Sequence, residues 1–171
     1  MLEKVMMYRM RVFVVFLLLT VLTGTQADDS IGVKPGQTAP EFELRDLRGK
    51  NRTLTQLRKS GQVLLLFWSA HCHYCYAMIP QFKDIHETYA KNGLKLVAIN
   101  VGYENRDEVK DFASDNDLPY LILNDDDKKE DIIEKYQVQG TPTLVLIAQD
   151  GRVRYNGHRV PDLTKYLAAA Q

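Results

Sequence analysis

Cysteine is almost absent from this 171-residue chain: there are two, and they lie three positions apart. A scaffold stapled by several disulfides is therefore excluded. Charge of one sign is lacking too. The chain has 22 Lys and Arg against 22 Asp and Glu, with no block of basic residues. That argues against nucleic acid as a partner. Internal repeats and low-complexity tracts are absent. With 45% hydrophobic and 26% charged residues, the composition is that of an ordinary chain with enough apolar residues for one core.

A long hydrophobic run is also missing. The longest, Val12 to Leu22, is broken only by Thr20 and is about half of the ~20 residues needed to span a bilayer. It follows a basic start (Lys4, Arg9, Arg11) and precedes the small and polar stretch Thr23-Gly24-Thr25-Gln26-Ala27. These are the three parts of a secretory signal peptide. The expectation is a signal peptide over 1–27, cleaved after Ala27, and one domain over 28–171. The product would be periplasmic or otherwise secreted, with no stable membrane span after cleavage. An uncleaved N-terminal anchor is the alternative. No cysteine lies near the cut, so a lipoprotein is excluded.

What is present is concentrated at Trp68-Ser69-Ala70-His71-Cys72-His73-Tyr74-Cys75. The segment follows the apolar run Val63 to Phe67 and opens a helical pattern. At a helix start the first thiol meets the positive end of the helix dipole, which favours the nucleophilic thiolate. The second thiol lies one turn on, within reach of a disulfide. A two-residue spacer closes so short a loop that it constrains the unfolded chain little. Such a pair suits opening and closing better than stapling.

The rest of the chain alternates strands and helices, which implies an α/β fold. After a polar lead-in to Gln37, strands are predicted near Glu41–Leu44 and Asn51–Thr53, with a helical turn over Thr55–Lys59. Val63–Ser69 and Leu94–Asn100 read as strands buried on both faces. Between them a helix over 72–92 should be kinked by Pro80 and stopped at Asn92-Gly93. Then come a helix over Asp107–Asn116, a strand over Tyr120–Leu123 and a helix from about Lys128 to Tyr136. A hairpin (Thr143–Ala148 and Val153–Asn156) and a helix opened by Pro161 and running through Ala170 complete the order.

This pattern resembles the thioredoxin superfamily, and most closely its secreted TlpA/ResA-like branch, over roughly Val33 to Ala169. Four features carry the resemblance: the segment Phe67 to Cys75; Pro80 in the first long helix; Gly140-Thr141-Pro142-Thr143; and the helix and strand inserted between Asn100 and Leu123. It implies a thioredoxin-like fold: a central mixed sheet flanked by helices, with an N-terminal β extension and an inserted helix-strand. It implies a thiol-disulfide oxidoreductase in which Cys72 attacks and Cys75 resolves the mixed disulfide. It implies a cis Thr141–Pro142 bond that leaves the Thr141 carbonyl and amide free to pair with an extended substrate. Trp68, His73 and Tyr74 are the further candidates for contacting substrate. Protein thiols and disulfides are the implied partners, with a membrane thiol reductase as a candidate electron donor. No cofactor is implied beyond the redox-active disulfide.

Two departures matter. Many thioredoxins carry a buried acid just before the Phe-Trp pair as a proton acceptor for the second cysteine; here that position is Leu66. In this branch a glutamate of the insertion resembles a replacement, and Glu104 is the candidate. The second departure is the pair of histidines beside Cys72. If cationic, His71 or His73 would stabilise the thiolate, and with it the reduced protein, making the disulfide more oxidising. Tyr74 before Cys75 resembles the loops of periplasmic disulfide isomerases and glutaredoxins. The resemblance favours a reductant and the local charges an oxidant or isomerase; both stay open, the reductant ahead. His86 and His158 are expected at the surface.

Other classes fit less well. His71, Cys72, His73 and Cys75 are ligand types for copper(I) or zinc, but four ligands within five residues would strain a tetrahedral site. Covalent haem attachment needs a histidine after the second cysteine, where Tyr76 stands. No Pro-x-x-x-Thr-x-x-Cys peroxidase arrangement is present. A non-catalytic interaction domain would have no need of the intact cysteine pair.

Overall fold

A computed structural model describes residues 30–102, 104–125 and 131–168. The expected signal peptide lies outside the described residues, as do Tyr103, the first turn of the helix expected from Lys128, and Ala169 and Ala170.

Three apolar runs form the centre. Strand β3 (Val63–Trp68) is buried along its whole length, and so is β6 (Thr143–Ile147); β4 (Lys95–Asn100) is buried beyond its first residue. Strands buried on both faces need both faces covered. They belong to one seven-stranded sheet, completed by β1 (Glu43–Asp46), β2 (Asn51–Thr53), β5 (Leu121–Asn124) and β7 (Val153–Gly157), in the order β2-β1-β5-β4-β3-β6-β7. Pairs β3–β4 and β4–β5 are parallel; β3–β6, β6–β7, β1–β5 and β1–β2 are antiparallel. The sheet is mixed, with the N-terminal hairpin as its β extension and β5 as the inserted strand.

Alternation along the strands divides the core in two. Val63, Leu65 and Phe67 face one layer, closed by Phe42, Leu54, Ile132 and Tyr136. Leu64, Leu66 and Trp68 face the other, closed by Cys75, Phe82, Ile85, Val109 and Leu163. The first layer is covered by α1 (Leu54–Leu57), α5 (Ile132–Lys135) and the lead-in, in which Val33 is a core residue. The second is covered by α2 (His73–Ala77), α3 (Ile79–Tyr89), α4 (Arg106–Asp115) and α6 (Leu163–Ala168).

Several predicted boundaries move for local reasons. The helix after Cys72 is interrupted next to the proline: α2 ends at Ala77 and α3 begins at Ile79, joined through Met78, with Pro80 in the first turn of α3. Proline has no N–H for the preceding turn, so it sits where that donor is not needed. Gly93 ends the run in the left-handed region, at φ 83°. Helix α4 begins at Arg106 because Asn105 and Glu108 form a capping box. The last helix begins at Leu163, so Pro161 precedes its first turn instead of opening it.

The turn between β1 and β2 is organised by Asp46. One carboxylate oxygen accepts from the Arg48 and Lys50 amides, each at 2.9 Å. The other takes a two-pronged bond from Arg52 at 3.0 and 2.9 Å. Burial pushes the Asp46 carboxyl up, but the backbone amides and the Arg52 guanidinium outweigh it, and its pKa lies below the ordinary value.

Candidate active site

The chain leaves β3 at Trp68, turns through Ser69-Ala70-His71, and enters α2 at Cys72. The Cys72 amide donates to the Ser69 carbonyl at 3.1 Å, closing the turn. Cys72 is the N-cap of α2, and its Sγ accepts from the Cys75 amide at 3.1 Å. An amide aimed at this sulfur stabilises negative charge on it. Cys72 and Cys75 form a disulfide with Cα atoms 5.2 Å apart. Cys72 is half-buried, whereas Cys75 is 4% exposed, so an incoming sulfur reaches Cys72 first.

Cys75 faces an apolar crevice lined by Leu66, Trp68, Ile79, Phe82, Phe112 and Tyr120 among others. Burial pushes the Tyr120 hydroxyl up to about 12, so it stays neutral across the physiological range. Leu66, 2% exposed, lies on the same sheet face as Cys75 and brings no charge to this wall.

Opposite the disulfide is the loop before β6. The Thr141–Pro142 peptide is cis, and the Thr141 carbonyl oxygen lies 3.4 Å from Cys72 Sγ. The loop and the cysteine turn thus meet across two strands that are neighbours in the sheet.

Glu104 joins the site from the insertion. Although acidic, it is 7% exposed. Its Oε1 accepts from the Ser69 hydroxyl at 2.7 Å and from the His71 amide at 3.1 Å. Its Oε2 accepts from the Asn100 side-chain amide at 3.3 Å. Burial pushes the Glu104 carboxyl up, but these donors outweigh it, Ser69 foremost, and the net shift is downward. Glu104 is therefore an anion tied to the turn that carries Cys72. Gly102 makes room for it: a Cβ there would overlap Glu104 Oε2 and come within 2.8 Å of Ser69 Oγ.

The remaining candidates divide. His71, His73 and Tyr74 are exposed around Cys72, Tyr74 at 75%. No hydrogen bond or ring contact joins either imidazole to Cys72 among the described residues. Trp68 is corrected: at 4% exposure it is a core residue, because the alternation of β3 turns it under α4, where its ring lies 5.2 Å from that of Phe112. It supports the site from below and presents no face to a substrate. His86 is corrected as well: it is half-buried, with its ring 6.3 Å from that of Tyr120. Among the described residues no three of His, Cys, Asp and Glu are grouped to hold a metal ion. Of the four ligand types around Cys72, the two cysteines are bonded to each other and the two histidines are exposed.

Sequence reasoning missed Ser69, Asn100 and Gly102. The available signals were a polar residue ending each of two apolar strands and a glycine two positions before a buried acid.

Residues 35–156 match the AhpC/TSA family. The thiol-disulfide oxidoreductase ResA of Geobacillus thermodenitrificans is 34% identical, over 74% of this chain and 70% of its own length. The thioredoxin-like protein YneN of Bacillus subtilis is 33% identical, over 76% of this chain and 75% of its own. Among solved structures, the thioredoxin domain of a thiol-disulfide oxidoreductase from Bacteroides vulgatus superposes with a TM-score of 0.70 over 81% of this chain and 98% of that one. At 22% identity that likeness speaks for the fold alone.

Proposed function

From the premise that this chain belongs to the AhpC/TSA family of thioredoxin-like proteins and is a thiol-disulfide oxidoreductase of the ResA type, we propose that it works as an exported reductant of protein disulfides. In the dithiol form the Cys72 thiolate attacks one sulfur of a partner disulfide. A bond forms between Cys72 and that sulfur, and the other partner sulfur leaves as a thiolate. The Cys75 sulfur, having given up its proton, then attacks Cys72 and expels the second partner sulfur. Two electrons have passed to the partner, and Cys72–Cys75 is oxidised. A second turnover needs a dithiol donor; a membrane thiol reductase has the required chemistry.

The observation that carries the reading is the asymmetry of the pair: Cys72 half-buried beside the Thr141 carbonyl, Cys75 sealed in an apolar crevice. Thr141 would offer its backbone to an extended substrate segment held by Pro142, with His73 and Tyr74 at the rim. One feature supports the reducing direction: the Glu104 anion on the same turn opposes a second negative charge there. A less stable thiolate makes a less stable reduced form, and hence a stronger reductant. Glu104 is an anchor for the turn and the candidate acceptor for the Cys75 proton.

Export rests on the signal-peptide pattern of 1–27. Among the described residues no helix is long and apolar enough to cross a membrane.

The test is the potential of the Cys72–Cys75 couple against glutathione, with insulin as a disulfide substrate. A value near about −270 mV with insulin turnover supports the reductant, and one near about −120 mV assigns an oxidant. Tight copper(I) binding without disulfide exchange would sink the oxidoreductase reading.

A further inference from the structure

His158 is exposed, as the sequence suggested, yet its ring is committed to the loop that faces Cys72. Strands β6 and β7 pair Leu144 with Gly157, and the next antiparallel step sets His158 opposite Thr143. There Nδ1 lies 2.9 Å from the Pro142 carbonyl oxygen and 3.3 Å from Thr143 Oγ1. A carbonyl only accepts, so Nδ1 carries the hydrogen. The Thr143 hydroxyl donates its own hydrogen to the Gly140 carbonyl at 2.6 Å, so it too meets His158 as an acceptor. One N–H therefore serves two oxygens of the cis-proline loop.

Two features of β7 aim the ring. The Tyr155 hydroxyl donates to the Arg159 carbonyl at 2.7 Å, drawing the chain into a tight bend around His158. Gly157 permits this, since a Cβ there would overlap the Tyr155 hydroxyl. The hydroxyl, the missing Cβ and the imidazole form one device, and nothing in the exchange chemistry itself requires it.

We propose that His158 is a positioning residue for thiol-disulfide exchange: its Nδ1–H pins the Pro142 carbonyl and so fixes the adjoining Thr141 backbone beside Cys72 for pairing with substrate. The proposal rests on the reading of the Thr141–Pro142 segment as the substrate-pairing edge. A free loop would have to be ordered at each encounter, and that ordering weakens binding. The loss falls on substrate recognition more than on the cysteines.

Two measurements test it. In the wild-type chain at about pH 8, above the ordinary histidine range, ¹⁵N NMR should find the His158 proton on Nδ1; a proton on Nε2 overturns the proposal. In insulin reduction, His158→Ala should raise KM about fivefold, the factor set by one lost hydrogen bond, with a smaller change in kcat. His158→Asn, whose amide can replace the Nδ1–H donor, should recover most of that loss. An unchanged KM in His158→Ala, or an equal defect in His158→Asn, overturns the proposal. If His158→Ala does not fold, Tyr155→Phe, which keeps the histidine and frees its bend, should raise KM; no rise counts against the device. Pro142→Ala separates the two layers. A raised KM there with none in His158→Ala defeats the histidine alone, whereas no change in Pro142→Ala defeats the substrate-edge reading beneath it.

Discussion

The Ser69 hydroxyl donates a 2.7 Å hydrogen bond to the Glu104 carboxylate, and through it the segment after β4 holds the turn that presents Cys72. Ser69 directly follows β3, and Glu104 directly precedes the cap of α4. The inserted helix is thereby coupled to the nucleophile without touching it.

Glu104→Gln removes the charge from that turn and keeps an oxygen for Ser69 and the His71 amide. With the anion gone, the thiolates lose a repulsive neighbour. The apparent pKa of the cysteines should fall, and the potential of the couple should become less negative. Alkylation rate against pH and glutathione equilibration measure the two quantities. An unchanged thiol titration rejects both the electrostatic role and the proton-acceptor role of Glu104. The same substitution sets an amide donor against the Asn100 amide, so stability should fall by about 1–3 kcal/mol.

Gly102→Ala should reproduce that defect without touching a titratable group. The new Cβ would occupy the place of Glu104 Oε2, forcing the carboxylate off Ser69 or the backbone off its path. Overpacking of this kind costs about 1–3 kcal/mol. Urea unfolding and the potential should shift together; a variant as stable as wild type shows that the segment yields freely.

The elements that carry the site were legible because their signals are local. An unbroken apolar run announces β3, Cys72 and Cys75 stand at its end, and Asn92-Gly93 marks a helix stop. Glu104 was reached only through the family resemblance. Its partner Ser69 is 35 positions away, and no periodicity records a hydrogen bond across that distance. Trp68 was misjudged because a resemblance gives a residue's identity and not its face; the alternation of β3 decides that. The orientation of His158 depends on Gly157 and Tyr155 together, and each alone reads as an ordinary strand residue.

Asp46 should make the fold acid-sensitive. Its folded pKa is depressed, so its contribution is present above the unfolded value and is lost as pH falls through the folded one. Glu104 has the same sign. Stability by urea titration should therefore decline below the ordinary carboxylate range, and Asp46→Asn should flatten that decline. Asp46→Ala removes the acceptor for two amides and for Arg52, at a cost of about 2–3 kcal/mol near neutral pH; an undiminished acid slope in Asp46→Asn would assign the sensitivity elsewhere.

Leu66 tests whether the crevice beside Cys75 is as dry as its lining implies. Leu66→Asp would set a carboxyl against Trp68, Phe82 and Phe112, where burial opposes ionisation and raises its pKa. A group whose folded pKa is raised loses stability as pH climbs above its unfolded value. The penalty should therefore be larger near neutral pH than in acid, on top of about 2–5 kcal/mol for the lost packing. Leu66→Ala supplies the control, since its cavity penalty should not depend on pH. Equal losses for Leu66→Asp at both pH values would mean that water reaches the new carboxyl. Cys75 would then be sheltered from partners by Cys72 and the turn alone, and not by an apolar wall.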